Sequence, residues 1–319
     1  MSKLLSIDYM VDEARKRGVA VVRYDGIHRG FACLKLGNHR EFVFQSQSDL
    51  IGRVSARLMN NNKVLANFVL REAGFPVPED GLISSLEEAE ACLQEWGRVV
   101  IKPLDNTGGK GVTPNLRSNK ELEEALLTAL AHNVRKEDRV VCQQHVEGRE
   151  YRLLVINQKH VFALERVGAH ALGDGEHTVK ELVDLSNEKA RSRDYWIKKS
   201  DTVEQLLVEQ GLTWQSTPKK GEIVRMALVI NAHQGGTVHD ATDVVGKEAR
   251  KLALEVAAYF DTSLVGLDVI TPDIQKTPGV IIEMNPSPDL AIHHRPDSGQ
   301  ARDVTKYIID LLFPETVGK

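Results

Sequence analysis

Cysteine and long apolar runs are scarce in this chain. Its 319 residues include 3 cysteines, an odd number at wide spacing, which excludes a disulfide framework or a zinc site and is typical of reduced proteins. No apolar run reaches the roughly 18 residues that a membrane-spanning helix requires. The acidic Asp8 follows the first methionine too closely for a signal peptide. These absences predict a protein of the cytoplasm.

The charge balance is close to neutral. The chain carries 41 Lys and Arg against 45 Asp and Glu, a formal net charge of −4. This balance excludes a strongly basic nucleic-acid binder on charge alone. The hydrophobic share of 42% and the charged share of 27% are ordinary for a soluble globular protein. At about 150 residues per domain, the length predicts roughly two domains.

Apolar periodicity alternates between helix-like and strand-like segments. Helices are predicted over residues 6–17, 50–73, 86–96, 119–132, 179–190, 202–210, 247–260 and 301–312. Strands are predicted over residues 19–22, 31–36, 41–44, 99–103, 140–144, 151–156, 160–166, 222–231, 264–271 and 279–284. Strands interleaved with helices in this way favour an α/β or α+β fold.

A lysine ends one of the buried strands, and a glycine-rich loop follows it over residues 102–112. Glycines let backbone N–H groups approach phosphate oxygens closely, and lysine supplies a positive charge. The loop is not a Walker P-loop, because no Gly-Lys-Ser/Thr opens a helix. Phosphate binding and a plain hairpin turn are both compatible with this pattern.

Acidic side chains interrupt two apolar strands near the end of the sequence. Asp268 lies in the first strand, and Glu283 and Asn285 lie in the second. Residues two apart on a strand face the same side, and Asp268 can join them if the strands are neighbours. Oxygen ligands without His or Cys suit Mg²⁺. The alternative is a strand end with a polar face.

A third polar segment, residues 231–243, is rich in glycine and follows an apolar strand, so it suits either a loop that lines a site or a surface loop. Arg152 follows the hinge-like residues 143–147 and is therefore a better candidate for a direct role. His293 and His294 lie in a loop beside Arg295, where we interpret them as surface or supporting groups rather than catalysts.

In this order, the segments resemble the ATP-grasp superfamily of carboxylate–amine ligases, in the branch of cyanophycin synthetases and bifunctional glutathione synthetases. The anchors are residues 62–63 with 74–78, 102–105, 147–152, 173–178, 235–237, 283–285, 295–296 and 312–314. The resemblance implies an α+β fold of two α/β lobes that close over ATP. It implies a short N-terminal part, residues 1–50, and an ATP-grasp body, residues 51–315. That body has a lid lobe at about 98–142, a hinge at 143–147 and a metal-binding lobe at about 148–315.

The resemblance also implies roles for individual residues. Nucleotide contacts fall on Lys63, Lys102, Asp105, Gly108, Gly109, Gly111, Gln143, Gln144, Val146 and Glu150. Metal ligands fall on Asp268, Glu283 and Asn285, and anion clamps near the reacting carboxylate fall on Arg152 and Arg166.

Two positions depart from the family pattern. Gln143 stands where relatives usually carry Glu, and we expect its amide oxygen to accept from the adenine amino group. Ala227 stands where relatives carry an arginine that stabilises the acyl phosphate. Arg225 lies two residues earlier on the predicted strand and is the candidate substitute.

The expected function is ATP-dependent joining of a carboxylate to an amine through an acyl phosphate, with Mg²⁺, or Mn²⁺ as an alternative. The resemblance implies amino acids or short peptides as substrates and a homo-oligomer, dimer or larger, without nucleic-acid or membrane partners. The alternatives are an ATP-binding module without ligase activity and a kinase that stops at the phosphorylated acceptor. The short N-terminal part leaves open whether a second subunit completes the acceptor site.

Overall fold

The computed structural model describes residues 5–23, 31–44, 46, 48, 63–104, 109–134, 138–189, 196–227 and 235–317. Contacts divide the chain into two compact units. The first unit comprises Pro78–Val146 and Arg166–Val238, and the second comprises Ser2–Val77, Glu147–Glu165 and His239–Lys319.

The first part of the first unit is a four-stranded antiparallel sheet with helices on one face. Its strands are β4 (Asp80–Ile83), β5 (Val99–Pro103), β6 (Thr113–Leu116) and β7 (Val140–Gln144), in the order β4-β7-β5-β6. Helices α3 (Leu86–Trp96) and α4 (Asn119–Ala131) share one apolar core with this sheet. Ser85 and Glu88 form a capping box that fixes the start of α3.

The second part of the first unit is a small two-stranded sheet, β10 (His170–Leu172) with β11 (Ile223–Arg225). It shares a core with α5 (Val179–Lys189) and α6 (Asp201–Glu209). A Cβ at Gly173 would collide with the carbonyl of Lys219, so this close approach requires glycine. The carboxylate of Asp174 accepts the backbone N–H groups of Glu176 and His177, both at 2.9 Å. The Gly173–Thr178 motif is therefore a structural turn.

The second unit contains a five-stranded sheet in the order β12-β9-β8-β13-β14. The strands are β8 (Arg149–Ile156), β9 (His160–Val167), β12 (Thr237–Asp240), β13 (Leu264–Thr271) and β14 (Val280–Asn285). Helices α2 (Lys63–Glu72) and α7 (Lys247–Tyr259) contribute to the apolar core on one face. A short helix, α8 (Ala291–His294), follows β14.

The other face of this sheet packs with both ends of the chain. Helix α1 (Ser6–Lys16) and helix α9 (Thr305–Leu312) share a core with Leu154, Ile156 and Leu264 of the sheet. The three-stranded antiparallel sheet β1 (Ala20–Arg23), β2 (Phe31–Leu36) and β3 (His39–Phe44) contributes Ala32, Leu34 and Val43. The described N-terminal residues therefore belong to the core of the second unit.

Most predicted elements are confirmed within a few residues, including β5, β7, β13 and α3. Strands β4, β6, β10 and β12 were not predicted. Two expectations differ from the structure. The predicted strand over 222–231 is a strand only over Ile223–Arg225, with 228–231 outside the described residues. The predicted helix over 301–312 begins at Thr305, and its predicted start is held by a hydrogen bond from Arg302 N to His293 O at 2.8 Å.

The predicted helix over 50–73 is described only from Lys63 to Glu72. Antiparallel sheets covered by helices give the α+β class that the sequence predicts. None of the helices in the described part of the chain combines the length and the hydropathy needed to cross a membrane.

Candidate active site

A buried lysine and a buried glutamine lie side by side on the helix-free face of the four-stranded sheet. Val100 pairs with Gln143 in the β5–β7 register, and Lys102 pairs with Val141, so all four side chains lie on one face. Lys102 is 6% exposed and Gln143 is 2% exposed. The Nζ of Lys102 donates to the Oε1 of Gln143 at 2.9 Å. The structure therefore brings these two predicted nucleotide contacts together.

The two polar atoms of the Gln143 side chain are in different situations. Its amide oxygen, expected to serve the adenine amino group, already accepts from Lys102. Its Nε2 is buried and has no hydrogen-bond partner among the described residues. The unsatisfied group at this position is therefore a donor.

The predicted hinge, residues 143–147, begins with the last two residues of β7. Backbone hydrogen bonds tie it to the first unit, from Gln144 N to Glu79 O at 2.8 Å and from His145 N to Arg98 O at 2.9 Å. The boundary between the units falls after Val146. Gly148 has φ +147° in the second unit, and a Cβ there would lie 2.6 Å from the backbone of Thr271. Glycine is thus required immediately after this boundary.

Only part of the predicted lid loop is described. Gly109 and Gly111 have positive φ angles of 71° and 73°. A Cβ on Gly111 would lie 2.6 Å from the Cβ of His132, so local packing alone explains this glycine. Asp105 and Gly108 lie outside the described residues. Lys63 begins α2, and its side chain is likewise outside the described part.

The second unit places Arg152, Asp268 and Glu283 in one row across three neighbouring strands. Asp268 of β13 pairs with Arg152 of β8 on one side and with Glu283 of β14 on the other. Arg152 Nε donates to one oxygen of Asp268, and Nη2 donates to the other at 3.1 Å. The Nδ2 of Asn285 lies 3.4 Å from the same carboxylate. The predicted metal ligands thus lie together with one predicted anion clamp.

The chemistry of this group fits a hard divalent cation. Two carboxylates and one amide offer oxygen ligands, which Mg²⁺ and Mn²⁺ accept. The amide nitrogen of Asn285 donates to Asp268, which leaves its carbonyl oxygen as the ligand atom. Within the described ranges, no group of three or more His, Cys, Asp or Glu side chains could hold a metal ion. The candidate set is therefore two carboxylates with Asn285 as the third ligand.

The remaining predicted site residues are spread over both units. Glu150 lies on β8, two residues from Arg152 and on the same face of the sheet. Arg166 is half-buried near the end of β9. Arg225 is exposed and lies in the two-stranded sheet, where its backbone exchanges hydrogen bonds with the side chain of Gln210. Because β11 ends at Arg225, this residue and Ala227 do not share a strand.

Burial of the two adjacent histidines differs from the sequence expectation. His293 is completely buried, and neither ring nitrogen has a hydrogen-bond partner in the described part of the chain. Burial, assisted by the positive charge of Arg152, lowers the pKa of His293 to about 3, so the ring is neutral. His294 stacks on Tyr9 with ring centroids 4.1 Å apart. The sequence does not indicate these tertiary contacts.

An ion-pair cluster at the end of β12 was also missed by the sequence analysis. Arg302 Nη2 donates to Asp240 and Asp243, each at 2.7 Å. The hydroxyl of Thr242 donates to Asp240 at 2.7 Å. Burial alone would raise the pKa of Asp240, but hydrogen bonds from Arg302 and Thr242 hold it below its usual value. This cluster anchors the end of the predicted glycine-rich loop.

Comparison with known proteins identifies the fold of the chain. Residues 75–218 match the family described as the ATP-grasp domain of prokaryotic glutathione synthetase. The crystal structure of a bifunctional glutathione synthetase from Pasteurella multocida superposes with a TM-score of 0.70 and 29% identity, over 97% of this chain and 43% of that chain. The protein therefore has the ATP-grasp fold that the sequence predicts.

The chain is also similar in sequence to two kinds of ligase. The chain is 36% identical to the cyanophycin synthetase of Crocosphaera subtropica over 97% of its own length. It is 34% identical to the glutathione biosynthesis bifunctional protein of Pasteurella multocida over 89% of its length. The chain is similar to part of these two kinds of ligase. It spans 36% and 39% of their lengths.

Proposed function

We propose that the protein is an ATP-dependent ligase that joins a carboxylate to an amine, with amino acids or short peptides as substrates. The observation that carries the proposal is the pair of carboxylates, Asp268 and Glu283, in direct register on neighbouring strands of an ATP-grasp sheet. Its similarity to cyanophycin synthetases and glutathione-forming enzymes supports the class of reaction.

Lys102, Gln143 and Glu150 are proposed contacts of the nucleotide. Lys102 offers a positive charge for the phosphates, and Gln143 offers a polar edge for the base. Glu150 would accept from the ribose hydroxyls. The other proposed nucleotide contacts are Lys63, Asp105, Gly108, Gly109, Gly111, Gln144 and Val146.

Asp268, Glu283 and Asn285 are the proposed ligands of Mg²⁺ or Mn²⁺. When bound there, the cation neutralises charge that develops on the phosphates. Arg152 balances the Asp268 carboxylate within the sheet and therefore holds it in place. The buried ion pair keeps this side chain in a single orientation.

A carboxylate needs activation because its negative charge repels an incoming electron pair. In the proposed reaction, a carboxylate oxygen attacks the γ-phosphorus, and ADP leaves. The amine nitrogen then attacks the acyl carbon, the C–O bond breaks, phosphate leaves, and the amine loses a proton. Arg152 and Arg166 are the proposed partners for the anionic oxygens, and Arg225 is the proposed substitute for the arginine that relatives carry at Ala227.

The test is a screen for ADP and phosphate release over pairs of amino acids and dipeptides, with the mass of each product measured. Amine-dependent turnover supports the ligase. Trapping with hydroxylamine separates it from a kinase that phosphorylates a hydroxyl, because only an acyl phosphate gives a hydroxamate. Glu283→Gln and Asp268→Asn should each lower turnover at least about a hundredfold. Undiminished turnover in both variants overturns the metal assignment.

The second candidate function is an ATP-binding module without ligase activity. The departure at Ala227 favours it, because Ala227 stands where relatives carry an arginine that stabilises the acyl phosphate, and β11 ends before that position. Nucleotide binding without turnover over the whole substrate panel supports this candidate. We also propose a homo-oligomer, which light scattering after size-exclusion chromatography tests directly.

A further inference from the structure

The amide nitrogen of Gln143 is a buried donor that lacks an acceptor. The residue is 2% exposed, and its Nε2 has no hydrogen-bond partner among the described residues. Folded proteins rarely leave such a group unpaired, because it gives up its hydrogen bonds to water on burial. A bound ligand with an acceptor atom would complete the site.

The orientation of this amide is fixed by chemistry. A carboxamide can exchange its oxygen and nitrogen by a half-turn, so its assignment depends on its neighbours. Lys102 has three donors and no acceptor, and its Nζ lies 2.9 Å from the assigned oxygen. A half-turn would set the donor of Gln143 against the donor of Lys102. The oxygen therefore faces Lys102, and the N–H group faces away from it.

We propose that Gln143 adapts the nucleotide site to a 6-oxopurine nucleoside triphosphate, which the protein accepts at least as readily as ATP. The proposal rests on the ligase function above, with Gln143 at the base. Adenine carries an amino group, a donor, at position 6, whereas hypoxanthine carries a carbonyl, an acceptor. The N–H group of Gln143 pairs with the carbonyl and opposes the amino group.

The replacement of Glu by Gln at this position explains why the proposed preference is for a 6-oxopurine and not for adenine. A glutamate would accept from the adenine amino group and repel a carbonyl oxygen. Glutamine held by Lys102 presents the opposite polarity at nearly the same size. A site that pairs with a hydrogen-bonding group discriminates strongly against a ligand that leaves its buried polar atoms unmatched, and we expect a ratio of roughly ten to a hundredfold.

Inosine triphosphate is the sharpest probe, because hypoxanthine lacks the 2-amino group of guanine. Calorimetry with non-hydrolysable analogues of ATP and ITP measures binding without turnover. The ratio of kcat/KM for ITP and ATP measures the same preference in the reaction. In the unaltered chain, we expect ITP to equal or exceed ATP by both measures.

The variant Gln143→Glu keeps an acceptor for Lys102 and removes the donor, so it should shift the ITP/ATP ratio toward ATP by at least about tenfold. The control Gln94→Glu makes the same chemical change at an exposed position of α3 and should leave the ratio unchanged. If Gln143→Glu does not fold, Gln143→Leu removes the donor at similar volume. The Leu variant should lose affinity for ITP while it retains affinity for ATP.

The outcomes separate this inference from the ligase function. If the unaltered chain binds neither nucleotide, the proposed function and this inference both fail. If it binds ATP at least about tenfold more tightly than ITP, and Gln143→Glu leaves that ratio unchanged, a buried water satisfies the amide and this inference alone fails. A shift toward ATP in Gln143→Glu, without a shift in Gln94→Glu, supports the inference.

Discussion

Two buried polar pairs, one in each unit, hold a cationic side chain in different ways. Lys102 donates to a neutral amide, whereas Arg152 donates two hydrogen bonds to the Asp268 carboxylate. The amide pair leaves a donor over, on Gln143. The ion pair satisfies both oxygens of its carboxylate. Among the described residues, the first arrangement leaves one polar group unmatched, whereas the second matches both oxygens of its carboxylate.

The largest expected effect comes from breaking the ion pair in the second unit. Arg152→Leu leaves Asp268 charged and buried, since the two side chains are only 11% and 7% exposed. We expect the free energy of unfolding to fall by about 3–5 kcal/mol, measured by denaturant titration. Arg149→Leu is the control, because Arg149 is 62% exposed in its pair with Glu165 and should cost at most about 1 kcal/mol. Equal losses in the two variants would refute the distinction.

The Arg302 cluster tests whether other buried ion pairs behave like that of Arg152. Arg302→Leu removes one partner of Asp240, but Thr242 still donates to it, so we expect a smaller loss of about 2–3 kcal/mol. The folded pKa of Asp240 lies below its ordinary value of 3.8. Its contribution is therefore present above that pH and is lost as the pH falls through the folded pKa. Thermal melts in acid should show a smaller decline for Asp240→Asn than for the unaltered chain.

Removing the side-chain amide of Gln143 should lower the free energy of unfolding by less than breaking either ion pair. Gln143→Leu removes one hydrogen bond to Lys102 and also removes the unsatisfied donor, so the two effects oppose each other. We expect a net loss of about 1–2 kcal/mol in the free energy of unfolding. A loss as large as that of Arg152→Leu would mean that the amide pair stabilises the fold as strongly as the ion pair.

The smallest expected effect on the free energy of unfolding is an increase rather than a loss. His293 is buried and neutral with two unpaired nitrogens, so His293→Leu should leave stability unchanged or raise it by about 1 kcal/mol. The adjacent His294→Leu loses the stacking on Tyr9 and should cost about 0.5–1.5 kcal/mol. A marked loss of stability in His293→Leu would show that this ring has a partner in the folded protein.

The sequence predicts every central strand of the two larger sheets but misses three of their four edge strands. Strands β5, β7, β8 and β13 have neighbours on both sides, and their buried side chains make apolar runs that are visible in the sequence. Of the missed strands, β4, β6 and β12 lie at sheet edges, and β10 has a single neighbour. Pro114 in β6 is tolerated only because an edge strand needs fewer hydrogen bonds. Pairing with a neighbour, and not local sequence, defines these strands.

Some features of the candidate site can likewise be predicted from the sequence, and others depend on tertiary contacts. The motifs around Asp268 and Glu283 can be identified in the sequence because acidic residues are rare within apolar strands. The orientation of Gln143 and the pairing of Arg152 with Asp268 depend on cross-strand register, which no local pattern encodes. Burial of His293 depends on contacts far away in the chain. The sequence therefore indicates which residues form the site, but not which of their atoms are already engaged.

The shared core of α1 and α9 has a consequence for synthesis of the chain. Arg17 pairs with Asp310, 293 positions later, and Ser6 donates to Asp289, 283 positions later. During translation, β1 and β2 reach α1 early, but the part of its apolar face that packs against α9 has no native partner until α9 leaves the ribosome. The continuous segment Pro78–Val146 has its four strands together much earlier. The segment Pro78–Val146 can therefore begin to fold early, whereas α1 completes its packing only after α9 has been synthesised.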